Sequence, residues 1–212
     1  MHAPLGILML DTTFDRPVGD AGNPKSWPFP VIVDRVPGAY ARPIVKGESQ
    51  DITPFVTATK TLVEKGAGAI ITTCGFLVRH QKALDGVSPV PVLTSTLTQF
   101  QRLQRELPTN RRLAVLTIDV DAFDESVRCA ANIGADALVF GTSPHSHFVS
   151  AILDSAVQLD VRRAEREWVD LAQRVQGEHP EIGAWLFECA NMPPYSDAVR
   201  MATGLPVYDT LS

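Results

Sequence analysis

Three cysteines in 212 residues are too few for a disulfide scaffold, and their odd number and wide spacing fit neither paired bridges nor a zinc site. Charge is sparse too: 20% of residues carry it, the formal net charge is −5, and no basic stretch interrupts the balance. That argues against nucleic acid or an anionic membrane surface as a partner. No apolar run approaches the roughly 18 to 20 residues that span a bilayer. The opening Met1-His2-Ala3-Pro4-Leu5-Gly6 lacks the basic region and long apolar stretch of a signal peptide. These absences lead to the expectation of a reducing, cytoplasmic, soluble protein. What is present is an ordinary 45% of hydrophobic residues, in a chain long enough to bury a substantial core as one domain or two small lobes.

Short apolar runs alternate with longer amphipathic segments. Gly6 to Asp11, Ala67 to Thr73, Leu113 to Asp119 and Ile182 to Phe187 read as buried strands, with Ala137 to Phe140 a shorter one. Continuous apolarity without strict alternation is what a parallel strand covered on both faces requires. Between them Ile52 to Lys65, Thr96 to Glu106, Asp121 to Ile133 and Ser150 to Gln176 carry helical periodicity. The alternation predicts an α/β fold with parallel sheets flanked by helices.

The chain also repeats itself. A shift of 115 lays Gly68-Ala-Ile-Ile-Thr-Thr-Cys74 on Gly183-Ala-Trp-Leu-Phe-Glu-Cys189, and Pro91-Val92 on Pro206-Val207; a shift of 108 lays Leu5 to Asp11 on Leu113 to Asp119. Two similar, pseudo-twofold-related lobes follow: residues 1–98 carrying Cys74, residues 99–205 carrying Cys189, and a C-terminal segment, 206–212, returning toward the first lobe. Ligands of parallel sheets bind beyond the carboxyl ends of the strands, so the site belongs in the cleft between lobes. One segment breaks the rhythm. From Thr12 to Ala41 the density of Pro and Gly excludes a regular helix and predicts an irregular excursion that leaves from a strand end and acts as a lid.

A thiolate is the protein base whose strength is most easily tuned, and two in symmetry-related positions can face one carbon from opposite sides. On Cys74, Cys189, the opening Gly6-Ile-Leu-Met-Leu-Asp11 and the segment Glu188-Cys-Ala-Asn-Met-Pro-Pro-Tyr195, the chain resembles the aspartate/glutamate racemase superfamily, which includes hydantoin racemases, maleate isomerases and arylmalonate decarboxylases. The resemblance implies an isomerase: a cofactor-independent, PLP-independent amino-acid racemase or epimerase that inverts a carbon next to a carboxylate by two-cysteine acid/base proton transfer. It implies no cofactor and no metal, a small-molecule carboxylate as substrate, and a homodimer, since dimerisation is common in the family.

The family's substrate-contacting positions fall on Asp11 and Thr12 in the first lobe and Thr117 in the second. Thr73 precedes Cys74. Gly75 and Phe76 follow it, and Ala190 and Asn191 follow Cys189; their main-chain N–H groups, at a helix start, suit a carboxylate. Arg16, in the expected lid, is the best-placed cation to attract that carboxylate. Where glutamate racemases carry Cys-Asn-Thr and Cys-Thr-His, this chain has Cys74-Gly75-Phe76 and Cys189-Ala190-Asn191, and Phe76 makes the site more apolar than glutamate needs. Strand alternation points Glu188 to the face opposite Cys189. Cys129, without an echo in the repeat, reads as packing, Asp119 as a strand terminator, and His145-Ser-His147 as a loop without a third metal ligand. Other reactions fit the same frame: a maleate-type cis-trans isomerase with one nucleophilic cysteine, a decarboxylase with one proton-donating cysteine, or a small-acid-binding protein without turnover. Retention of both thiols weighs against decarboxylation.

Overall fold

The computed structural model describes residues 3–49 and 51–212, so Met1 and His2, on which part of the signal-peptide expectation rests, lie outside the described residues, as does Gln50. The order along the chain is β1 (Leu5–Met9), β2 (Val31–Arg35), α1 (Ala41–Val45), α2 (Thr53–Glu64), β3 (Ala69–Thr72), α3 (Gln81–Gly86), β4 (Val92–Leu93) and α4 (Phe100–Glu106). It continues with β5 (Arg112–Thr117), α5 (Glu125–Ala131), β6 (Leu138–Gly141), α6 (His147–Ile152), α7 (Val161–Glu178), β7 (Ile182–Phe187), α8 (Ser196–Thr203) and β8 (Val207–Tyr208).

The strands form two four-stranded sheets, ordered β2-β1-β3-β4 and β6-β5-β7-β8, with every pairing parallel. Each strand of the second sheet thus occupies the place of its counterpart four strands earlier, which is the sequence repeat expressed as topology. Strands β1 and β5 are central, and Ile7, Leu8 and Leu113 to Leu116 are fully buried, as strands covered on both faces must be. Helix α2 turns Phe55, Ala58, Thr59 and Leu62 inward, an i, i+3, i+4, i+7 stripe. Helix α7 does the same with Ala164, Trp168, Leu171, Ala172 and Val175. Its Trp168 meets Phe148 edge-on at 5.2 Å between ring centroids, and Phe148 meets Tyr195 at 5.7 Å. Truncating a buried Trp of this kind costs about 3–5 kcal/mol.

Three expectations are corrected. The Pro/Gly-rich stretch is not irregular throughout, because the β-branched run Val31-Ile-Val33 forms β2 and pairs with β1. The single helix expected over 150–176 is two, α6 and α7. Ser155 adopts a left-handed backbone, φ 50°, which no helix continues through. Asp160 then restarts the helix by accepting the Arg163 N–H. Cys129 is exposed, its thiol donating to Glu125 Oε1 at 3.1 Å; it lies on the outer side of α5, whose buried residues are Val127 and Ala131. Val207 and Tyr208 extend the second sheet beside β7, and beyond them Thr210 lines a cavity with Leu93 and Thr94 of the first lobe. Among the described residues, no helix is long and apolar enough to cross a membrane.

Candidate active site between the lobes

Strand β3 ends at Thr72 and β7 at Phe187, and each cysteine stands two residues beyond its strand. Cys74 and Cys189 are both 5% exposed and line one cavity, which encloses about 320 Å³ counting its open mouth. Leu10, Thr12, Arg16, Ala41, Val45 and Phe76 contribute from the first lobe, and Ile118, Ile152, Leu153 and Asn191 from the second. The wall is mostly apolar with a few convergent polar groups, the ordinary composition of a small-ligand site.

Of the expected site residues, the fold brings Thr12, Arg16, Thr73, Gly75, Phe76 and Asn191 to the cavity with the two cysteines. Thr73 is tied into the wall, its Oγ1 accepting the Leu10 N–H at 3.1 Å. Asp11 stands apart; its carboxylate accepts the Gly38 N–H at 2.9 Å and faces Arg35 at 3.7 Å. Thr117 lies behind the cavity, where its hydroxyl donates to Glu188 Oε2 at 3.0 Å. Ala190 lines a neighbouring cavity instead. His147 is structural, its Nε2 accepting the Asp160 N–H at 2.7 Å.

The excursion after β1 reaches across to the second lobe. The Ala21 N–H donates to the Ala190 carbonyl at 3.1 Å, which fastens the segment beside Cys189. At its centre is Asp20, fully buried and absent from the sequence-based expectations. Its Oδ1 accepts from Arg16 Nη1 at 2.8 Å and the Gly22 N–H at 2.7 Å; its Oδ2 accepts from Asn191 Nδ2 at 2.8 Å. A carboxylate only accepts, so Asp20 fixes which way the Asn191 amide points. Asn191 Oδ1 therefore faces Cys189, whose thiol donates to it at 3.4 Å. Arg16 also donates to Thr12 Oγ1 at 2.8 Å and covers the Phe14 ring at 4.5 Å. Arg16 thus reaches the cavity already paired with Asp20.

Glu188 is a residue that strand alternation misdirected. Strand β7 ends one residue earlier, so alternation no longer governs its direction. Its side chain is 1% exposed and lines the same cavity as Cys189. A Cβ at position 75 would collide with the Glu188 carbonyl and its Oε1, so the cavity wall needs glycine there.

Burial sets the electrostatics. It pushes the Cys74 thiol up to about 12, and nearby Glu188 adds to the rise; the N–H groups of Phe76 and Leu77 and the charge of Arg79 oppose it. Cys189 is also raised by burial and then by Glu188, with the Asn191 N–H opposing and Cys74 and Asp20 adding further. Glu188 is pushed up to about 7, again chiefly by burial, against the pull of Thr117 and Ile118. The site thus holds two neutral thiols beside a carboxyl group that titrates near neutrality.

No family model matches the chain. Among solved structures, unliganded arylmalonate decarboxylase superposes with a TM-score of 0.58 at 16% identity, covering 98% of this chain and 87% of that one. The Picrophilus torridus aspartate racemase gives 0.57 at 13%, covering 98% and 89%. The fold is therefore that of the aspartate/glutamate racemase superfamily. The curated relatives carry another activity. A dimethylsulfoniopropionate lyase of Durusdinium sp. clade D is 30% identical over 99% of this chain and 72% of its own length. Dimethylsulfoniopropionate lyase 3 of Emiliania huxleyi is 30% identical over 100% of this chain, which spans 58% of that protein.

These relatives correct the expected activity. The expectation is an isomerase of amino-acid metabolism, a two-cysteine racemase; the relatives are instead named lyases, nearer to the runner-up of a different reaction on the same frame. The physical reason is that loss of a proton beside a carboxylate can open several reactions, and the substrate's leaving group, which the protein sequence does not encode, decides which one follows. With 30% identity along its length and 72% of the relative covered, the chain belongs to the dimethylsulfoniopropionate lyase family.

Proposed function

We propose that this protein cleaves dimethylsulfoniopropionate by β-elimination, releasing dimethyl sulfide and acrylate. The substrate carries a carboxylate and, two carbons away, a dimethylsulfonium group. Removing a proton from the carbon next to the carboxylate lets the electron pair form the double bond while the sulfide leaves as a neutral molecule. The leaving group needs no proton, so the reaction asks for one base rather than an acid and a base on opposite faces. A thiolate from the Cys74 and Cys189 pair supplies it. The developing charge beside the carboxylate needs donors aimed at it, and the main-chain N–H groups that begin the turns after each cysteine are suitably placed. The apolar wall excludes water and accommodates the two methyl groups.

The observation that carries this reading is the placement of two buried cysteines on one interlobe cavity in a chain 30% identical, over its length, to a lyase of that name. Incubation with dimethylsulfoniopropionate should release dimethyl sulfide, measured by headspace gas chromatography, and acrylate in equal amount. The serine variant of the cysteine that serves as base should lose activity by about 100-fold or more, the usual contribution of a positioned base. A folded protein with reduced thiols that yields neither product would overturn the proposal.

A further inference from the structure

Elimination deposits one proton per turnover on a thiol that is 5% exposed, and that proton must leave before the next cycle. Glu188 stands where it can be carried off. Thr117 and the Ile118 N–H hold its Oε2 at 3.0 and 3.4 Å, while Oε1 lies against Gly75. Gly75 and Glu188 are also the two residues shared by the cysteine cavity and a second one of about 210 Å³, counting its mouth, on the far side. That second cavity is formed by Thr72, Thr94, Ser95, Thr96 and Thr210 with Leu93 and Ala190, and the hydroxyls of Thr72, Thr94 and Thr96 are bonded to the Thr94 carbonyl, Gln81 and the Phe187 carbonyl. A carboxyl group therefore forms the partition between the cysteine cavity and a second, threonine-rich cavity.

We propose that Glu188 takes the proton from the active-site thiol and passes it through this partition to the second cavity and solvent. The proposal rests on the lyase reading. In the first step a thiol gives its proton to the Glu188 carboxylate, leaving a thiolate and a neutral acid. The thiolate then takes the substrate proton; the C–S bond breaks, dimethyl sulfide leaves with the bonding pair, and the thiol is restored. Glu188 releases its own proton to solvent water at the mouth of the second cavity, so each turnover discharges one proton. Glu188 acts through the thiol.

The charged and titratable groups around Glu188 are Cys74 and Arg79 on the first-lobe side, Asp119 beyond β5, and Cys189 beside it. Arg16 and Asp20 face the site from the excursion as a neutralised pair. Arg79 is held outward by the Ala122 carbonyl at 2.8 Å and Ser126 at 2.8 Å, and Asp119 by Lys46 at 2.7 Å. An acid whose strength lies at about 7 both accepts and gives up protons readily at neutral pH.

Two measurements test this. Without substrate, alkylation of Cys74 and Cys189 by iodoacetamide is mapped by mass spectrometry from about pH 5 to about pH 10. The wild-type rate should flatten near pH 7, where ionised Glu188 holds the thiols protonated. In Glu188→Gln it should keep rising tenfold per pH unit, giving about 100-fold greater reactivity at pH 9. In Thr117→Val, which keeps Glu188 but removes a donor to it, the flattening should move to higher pH. With substrate, kcat of Glu188→Gln should fall about 100-fold even though its thiolate is more abundant. Added acetate should restore part of the activity of Glu188→Ala. Wild-type turnover in Glu188→Gln, or a flattening near pH 7 that survives the substitution, would overturn the proposal. Absence of dimethyl sulfide from the wild-type protein would instead defeat the lyase reading, and the alkylation profiles would still report whether Glu188 and the thiols share a proton.

Discussion

Removing the Asp20 carboxylate should loosen the molecule and sharpen one of its thiols at once. The group is 1% exposed, its partner Arg16 is 10% exposed, and three donors converge on it. Breaking a buried ion pair from one side costs about 3–5 kcal/mol, since the remaining charge is left without its counter-ion. Arg16 keeps some contact with water, which places Asp20→Ala toward the lower part of that range. For a chain of this length each kcal/mol lowers Tm by about 2–4 °C, so calorimetry should show a loss of about 6–12 °C. Asp20→Asn separates the charge from the shape. Its amide nitrogen would face the Asn191 nitrogen, forcing Asn191 to turn and present N–H instead of oxygen to Cys189. Loss of the Asp20 charge acts in the same direction, since that charge raises the Cys189 pKa. Cys189 should therefore alkylate faster in Asp20→Asn at about pH 8 while Cys74 stays near its wild-type rate. A Tm within about 2 °C of wild type for Asp20→Ala, together with an unchanged Cys189 rate in Asp20→Asn, would refute the reasoning.

Three further outcomes are expected. Gly75→Ala drives a methyl group into the Glu188 carbonyl and carboxyl; overpacking of this kind costs about 1–3 kcal/mol, readable as a Tm loss, and turnover should fall with it. Glu188 has its pKa raised from 4.5 to about 7 on folding, so between those values the folded state holds a proton that the unfolded state has lost, and stability falls as pH rises. At about 1.4 kcal/mol per unit, Glu188→Gln should gain on the order of 3 kcal/mol over wild type between pH 4.5 and pH 8, and parallel denaturation curves with pH would contradict this. Iodoacetamide at about pH 8 should label exposed Cys129 before Cys74 or Cys189, and first labelling at either buried cysteine would contradict the described burial.

The repeat made the cysteines legible, because two apolar runs in register must end at equivalent places in equivalent lobes. The same register made two similar lobes legible, whereas the order of strands within each sheet is set by crossover packing that the repeat does not encode. Asp20 was not legible: it lies in a stretch whose Pro and Gly carry no periodicity, and its partner Asn191 is brought to it by tertiary folding alone. Glu188 was misdirected because alternation was extended one residue past Phe187, where the strand stops. The split between α6 and α7 was hidden by apolar residues such as Val157, which continue the helical spacing through a segment whose backbone turns left-handed at Ser155. The reaction was out of reach for a chemical reason, since thiols suited to remove a proton beside a carboxylate look the same whichever bond breaks next.

The Asp20–Asn191 hydrogen bond joins residues 171 apart in sequence. On the ribosome, where chains grow at about 5–20 residues per second, the Pro/Gly-rich segment emerges many seconds before its anchor has been made. Contacts of such long range form late, after the cost of closing the loop between them. Cys74 is thus made long before its opposite wall, and the cavity closes only when the last strands of the second sheet arrive. Reactivity is withheld from every shorter chain, and a stalled or truncated product carries a cysteine without a site.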